Sequence, residues 1–162
     1  MKRKTLLLIP FLLFFFADLI ASEPTFIYLV RHAEKQKTKD PDLSEVGLKR
    51  VAALTSFFEK IHLDGIYATQ YKRTQQTVAP MAKARGMQVE VRDAGDSKGF
   101  AELARKSPGK TLLVAGHSNT VPVMIAELGG PEFTIEDSEY DGLFLVVLVN
   151  GKASLQHFVF KP

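Results

Sequence analysis

The chain has 162 residues, 46% hydrophobic and 24% charged, enough for one ordinary globular domain and too few for two. It contains no cysteine, which excludes disulfides and thiolate-held metal sites. Lys and Arg outnumber Asp and Glu by 21 to 18, but without residues 1–21 the balance is 18 to 17, so no basic footprint for nucleic acid remains.

The first segment reads as a leader. Lys2-Arg3-Lys4 is a positive segment, Thr5–Ala17 is apolar, and Ala17 to Ser22 offers small residues for cleavage after Ala21. This pattern predicts a signal peptide over residues 1–21 and an exported protein, periplasmic or secreted, with no stable membrane insertion. An uncleaved anchor is the alternative. It is disfavoured because the apolar stretch is shorter than the roughly 20 residues of a spanning helix and Asp18 interrupts it.

The folded domain is expected over residues 24–162, with no repeat or linker. Thr25–Val30 reads as a strand and Lys35–Asp42 as a polar loop. Ser44 is expected to cap a helix running through His62, on the spacing of Leu48, Val51, Leu54, Phe58 and Ile61. Gly65–Ala68 is a short strand. Tyr71–Arg85 is a helix that Pro80 should kink or shorten and Gly86 should end.

Gln88–Arg92 follows as a strand and Lys98–Lys106 as a helix. Thr111–Ala115 is a buried strand, and Asn119–Leu128 a helix capped by Ser118 or Asn119, with Pro122 in its first turn. Leu143–Val149 and Lys152–Phe160 flank Asn150-Gly151, a two-residue hairpin signal. The alternation predicts a three-layer α/β/α sandwich, its sheet mostly parallel and closed by an antiparallel C-terminal hairpin.

Chemistry gathers at the ends of three strands. Arg31-His32 follows the first, Arg73 falls in the first turn after the second, and Gly116-His117-Ser118-Asn119 follows the fourth. Ligands of open α/β sheets bind at the carboxyl ends of the strands. A guanidinium is a natural phosphate fork, and a helix start favours an anion. The expected site therefore unites Arg31, His32, Arg73 and His117 around a phosphate. The two arginines argue against a metal site and favour neutral His32, whose lone pair is a competent nucleophile. A serine triad is not expected, since no Gly-x-Ser-x-Gly elbow exists. His62 and His157 read as structural.

Arg31-His32-Ala33-Glu34, Leu43-Ser44-Glu45-Val46-Gly47, Thr69-Gln70-Tyr71-Lys72-Arg73-Thr74-Gln75-Gln76-Thr77 and Gly116-His117-Ser118-Asn119 together resemble, in order, the motifs of the histidine phosphatase (phosphoglycerate mutase-like) superfamily. Thr69 stands in the usual serine place, and Glu139-Tyr140-Asp141 is similar to a recurrent tail of its small bacterial members.

The resemblance implies phosphoryl transfer through a phosphohistidine on His32. Arg31, Arg73 and His117 would bind the phosphoryl oxygens, with no metal and no cofactor. The mutase-like branch supplies a Glu as general acid, for which this chain has no clean match. Asp93 is the preferred candidate and Asp96 the alternative, both just past Gln88–Arg92. The His-Asp motif of the acid phosphatase and phytase branch is absent, because Ser118 follows His117.

The expected protein is an exported, monomeric phosphatase with a shallow, open pocket. Its substrate would be a phosphorylated small molecule, an envelope sugar phosphate or protein phosphohistidine. The alternatives are a non-catalytic phosphate-binding module and a phosphomutase.

Overall fold

The computed structural model describes residues 23–161, and the leader expected over residues 1–21 lies outside them. The elements are β1 (Thr25–Arg31), α1 (Glu45–Phe57), β2 (Gly65–Thr69), α2 (Lys72–Ala84), β3 (Val89–Arg92), α3 (Ser97–Arg105), β4 (Thr111–Gly116), α4 (Thr120–Glu127), β5 (Gly142–Val149) and β6 (Lys152–Val159). One six-stranded sheet has the order β3-β2-β4-β1-β5-β6. The first four of these run parallel, and β5 and β6 are antiparallel.

The central strands are apolar on both faces because both faces are covered. Ile27 and Leu29 of β1 join Leu112, Val114, Phe144 and Val146 on one face, packed with Phe100 of α3 and Val121 and Ile125 of α4. Val30, Ile66, Ala68, Leu113, Ala115 and Leu143 fill the other, against Leu54 of α1 and Val78 and Met81 of α2. This is the expected three-layer architecture. Among the described residues no helix is long and apolar enough to cross a membrane.

β1 and β4 lie side by side in the register Arg31↔Gly116. The chain leaves β1 toward β2 on one flank and leaves β4 toward β5 on the other. Their carboxyl ends therefore border a topological switch point, the natural crevice of such a sheet. His32 begins at that edge, its backbone N–H donating to Gly116 O at 2.9 Å.

Three local expectations are corrected. α1 stops at Phe57 rather than running to His62. Phe58 and Ile61 are apolar anchors of a following turn, whose carbonyls accept from the Arg85 guanidinium. Pro80 does not shorten α2, which continues to Ala84. Pro80 is on the exposed side, where water can serve the carbonyl it leaves unpaired, while Val78, Met81 and Ala82 stay buried. Finally, neither Ser118 nor Asn119 caps α4 with its side chain. The His117 N–H donates to Thr120 Oγ1 at 2.9 Å instead.

Candidate active site

The Arg31-His32-Ala33-Glu34 segment is fixed from two sides. Ala33 N donates to Thr77 Oγ1 at 3.0 Å, and Thr77 Oγ1 donates to Arg73 O at 2.7 Å, which ties the end of β1 to α2. Glu34 receives Arg50 through contacts of 2.7, 2.9 and 3.0 Å, which ties the same segment to α1. Gly47 permits this approach: a Cβ there would sit 2.2 Å from Glu34 O. The Leu-Ser-x-x-Gly element thus has a steric reason, with Ser44 capping α1 through Gly47 N at 3.2 Å.

These constraints present four predicted residues to one open pocket of about 300 Å³, lined by Arg31, His32, Lys35, Tyr71, Arg73, His117, Ser118 and Asp137. The imidazoles of His32 and His117 lie edge to face, 5.3 Å between centroids. Arg73 Nη2 is 3.3 Å from His117 Nδ1, and its guanidinium lies 4.5 Å from the Tyr71 ring centroid. His117 Nε2 is 2.8 Å from Thr69 Oγ1. At the start of α2, Asp40 Oδ1 accepts from Lys72 N at 3.2 Å and lies 3.9 Å from Arg73 Nη1.

His32 Nδ1 is 2.8 Å from the Ala33 carbonyl, which can only accept. Nδ1 therefore carries the proton in the neutral ring, and Nε2 holds the lone pair. Burial lowers the His32 pKa to about 4, opposed by the Ala33 carbonyl and assisted by Arg73, Arg31 and Lys35. Burial, then Arg73, His32 and Arg31, lowers His117 to about 3. Both rings are neutral near pH 7. Among the described residues, the Nε atoms of Arg31 and Arg73 are buried without a hydrogen-bond partner. Two guanidiniums with unspent donors beside two neutral imidazoles form a seat suited to a tetrahedral oxyanion.

Arg31 does more than the sequence suggested. Its Nη1 donates to the carbonyls of Glu136, Asp137 and Glu139 at 2.9, 3.0 and 2.9 Å. Tyr140 stacks on the guanidinium 4.0 Å away, and its ring lies 5.9 Å from that of His32. The loop before β5 thereby becomes one wall of the pocket. It brings in Asp137, whose Oδ1 lies 3.8 Å from Arg31 Nη2 and accepts from Ser118 Oγ at 3.5 Å.

Asp93, the preferred acid, is not in the lining, although its neighbour Ala94 is. Its carboxylate accepts from Gln70 Nε2 at 3.2 Å and Gly95 N at 2.8 Å. Asp96 caps α3 through Gly99 N and pairs with Arg92 at 2.6 Å. Asp137, Tyr71 and Lys35 were not singled out from the sequence; for Asp137 the only signal was its place in the acidic run 136–141. His62 is exposed beside Asp64, and His157 stacks on Phe144 at 4.4 Å, both away from the pocket. A larger open cleft of about 720 Å³ lies beside the end of α1, but its Asp64 and Arg85 are already engaged by Lys110 and by helix-end carbonyls.

The model of the histidine phosphatase superfamily (branch 1) matches residues 27–94, a span holding Arg31, His32 and Arg73. Over that span the chain is similar to the histidine phosphatase superfamily. Phosphoserine phosphatase 1 of Hydrogenobacter thermophilus is 39% identical over 71 residues, covering 39% of this chain and 34% of that protein. The chain thus spans about a third of the length of that curated relative.

Among solved structures, the fold is similar to the protein histidine phosphatase SixA complexed with tungstate, at a TM-score of 0.67 and 17% identity over 83% of this chain and 96% of that one. It is also similar to a mutant phosphoserine phosphatase from Entamoeba histolytica in complex with phosphoserine. There the TM-score is 0.65 and the identity 16%, over 84% of this chain and 96% of the other. Those two structures speak to the fold.

Proposed function

We propose that the protein is a phosphatase that hydrolyses phosphomonoesters, or phosphohistidine, through a covalent phosphohistidine on His32. The observation that carries this reading is the His32–Ala33 hydrogen bond, which leaves Nε2 as the free nitrogen in a pocket shared with two guanidiniums. The Nε2 lone pair attacks phosphorus, and the P–O bond to the leaving group breaks with its electron pair staying on oxygen. Arg31, Arg73 and His117 stabilise the equatorial oxygens. Water then attacks the phosphohistidine, the P–N electrons return to Nε2, and inorganic phosphate departs.

The leaving oxygen requires a proton in the first step, and the attacking water must lose one in the second. Asp137 is the carboxyl group in the pocket lining, so both transfers are assigned to it in preference to Asp93. The chemistry is read as metal-independent because two fixed guanidiniums occupy the place a cation would need. Substrates are small phosphorylated molecules, envelope sugar phosphates or an exposed phosphohistidine, any of which an open pocket admits. Export belongs to the same proposal, supported by Lys2-Arg3-Lys4, the apolar Thr5–Ala17 and Ala21, and is tested by N-terminal sequencing of the protein recovered from its host.

The decisive experiment compares wild type with His32→Ala on an aryl phosphate, with and without chelator. A fall of at least about a thousandfold in the variant, with wild-type turnover surviving chelation, is expected. Trapping should give an acid-labile, base-stable phosphoryl group on His32. Equal turnover by the variant overturns the proposal, and no turnover by either protein favours a binding module.

A further inference from the structure

Thr69 closes β2 and is 2% exposed, with its hydroxyl at the centre of a short relay. Thr69 Oγ1 lies 2.8 Å from Thr74 Oγ1 on one side and 2.8 Å from His117 Nε2 on the other. Thr74 Oγ1 lies 2.7 Å from Tyr71 O and 3.0 Å from Thr69 O. A carbonyl only accepts, so the single Thr74 hydroxyl proton is spent on one of these oxygens. Towards Thr69 the Thr74 oxygen can then only accept. The Thr69 proton therefore goes to Thr74, and the Thr69 oxygen can only accept from His117. Nε2 of His117 must carry the proton.

The other end of the ring gives the same answer independently. Arg73 has donors and no acceptor, and its Nη2 is 3.3 Å from Nδ1. Nδ1 is therefore the lone pair, as in a neutral Nε2–H ring.

We propose that Thr69 is a positioning residue that, backed by Thr74, holds His117 as the Nε2–H tautomer with Nδ1 committed to Arg73. The opposite tautomer would set an N–H against the Arg73 N–H and push apart two groups that converge on one oxyanion.

The test uses Thr69→Val, which keeps the shape and removes the hydroxyl, and Thr69→Ser, which keeps the hydroxyl. Long-range proton–nitrogen NMR on the wild-type protein, with His117→Gln for assignment, should show the Nε2–H form of His117. Thr69→Val should show a mixture of tautomers and bind inorganic phosphate at least about fivefold more weakly. Thr69→Ser should match wild type within about twofold. An Nδ1–H ring in wild type overturns the proposal, as does a Thr69→Val protein with wild-type tautomer and affinity. Should Thr69→Val fail to fold, the wild-type spectrum and Thr69→Ser still decide it.

Only the affinity arm rests on the phosphoryl-site reading. If wild type shows the assigned tautomer yet ignores millimolar inorganic phosphate, that reading fails and the role of Thr69 stands.

Discussion

The guanidinium of Arg31 lies 4.0 Å from the ring centroid of Tyr140, although 109 positions separate them in the chain. The contact joins the first strand to the loop before β5, and the same guanidinium holds three carbonyls of that loop. Arg31 is thus both an anion ligand in the proposed chemistry and the anchor of a pocket wall.

Removing the ring should loosen that wall while sparing the core. Tyr140→Ala is expected to cost about 1 kcal/mol of stability or less, since a partly exposed cation–π contact is worth roughly that. Its KM for an aryl phosphate should rise about three- to tenfold, with kcat changed less. Steady-state kinetics beside a thermal melt check this; an unchanged KM would mean the wall does not orient substrate.

Gly47→Ala should reverse the usual sign of a helix substitution. Alanine normally favours a helix over glycine by about 1 kcal/mol. Here the added methyl meets Glu34 O at 2.2 Å, and displacing backbone should cost about 2–4 kcal/mol. Glu34→Gln should cost about 1–3 kcal/mol by breaking the half-buried pair with Arg50. Urea denaturation measures both, and activity should fall with them because the same segment carries His32.

The two site histidines make the fold sensitive to acid. Burial first, then the neighbouring guanidiniums, lowers His32 to about 4 and His117 to about 3, below the ordinary 6.5 of an unfolded chain. The unfolded state therefore binds more protons between these values. Their contribution to stability is complete above pH 6.5 and is lost as the pH falls through 6.5 toward 4 and then 3. Histidine ring titrations by NMR should give midpoints near those two values, and the urea midpoint should decline over the same window.

Leaving-group dependence separates the two acid candidates. Asp137→Asn should lower hydrolysis of an alkyl phosphate by about 100-fold or more, the usual span of general acid catalysis, and that of a nitrophenyl phosphate far less. Asp93→Asn should leave both within about threefold. The reverse ranking would return the role to Asp93.

The order of elements was readable because the central strands are buried on both faces and appear as unbroken apolar runs, such as Ile27–Val30 and Leu112–Ala115. Arg31, His32, Arg73 and His117 were readable for a related reason: charge at the end of such a run needs an anion or a partner. The end of α1 was not, since Ile61 continues the helical spacing while serving a turn. Pro80 leaves the length of α2 intact because its cost depends on which side of the helix faces water. Asp137 was hidden most deeply, and Tyr140 showed only as part of the Glu139-Tyr140-Asp141 resemblance, with no hint of its contact with Arg31. Their loop has no periodicity, and what folds it onto Arg31 is a set of carbonyls, which every residue possesses.

The divergence of the chain at the neighbouring ends of β1 and β4 has a consequence for specificity. An opening made by topology needs no side chain to prop it apart, and β1 and β4 stay paired beneath it as far as Arg31↔Gly116. Segments 35–42, 93–96 and 131–141 make the rim of that opening, outside the paired strands. On the proposed reading, choice among phosphorylated compounds would fall to that rim, while the oxyanion seat rests on the strand ends beneath it.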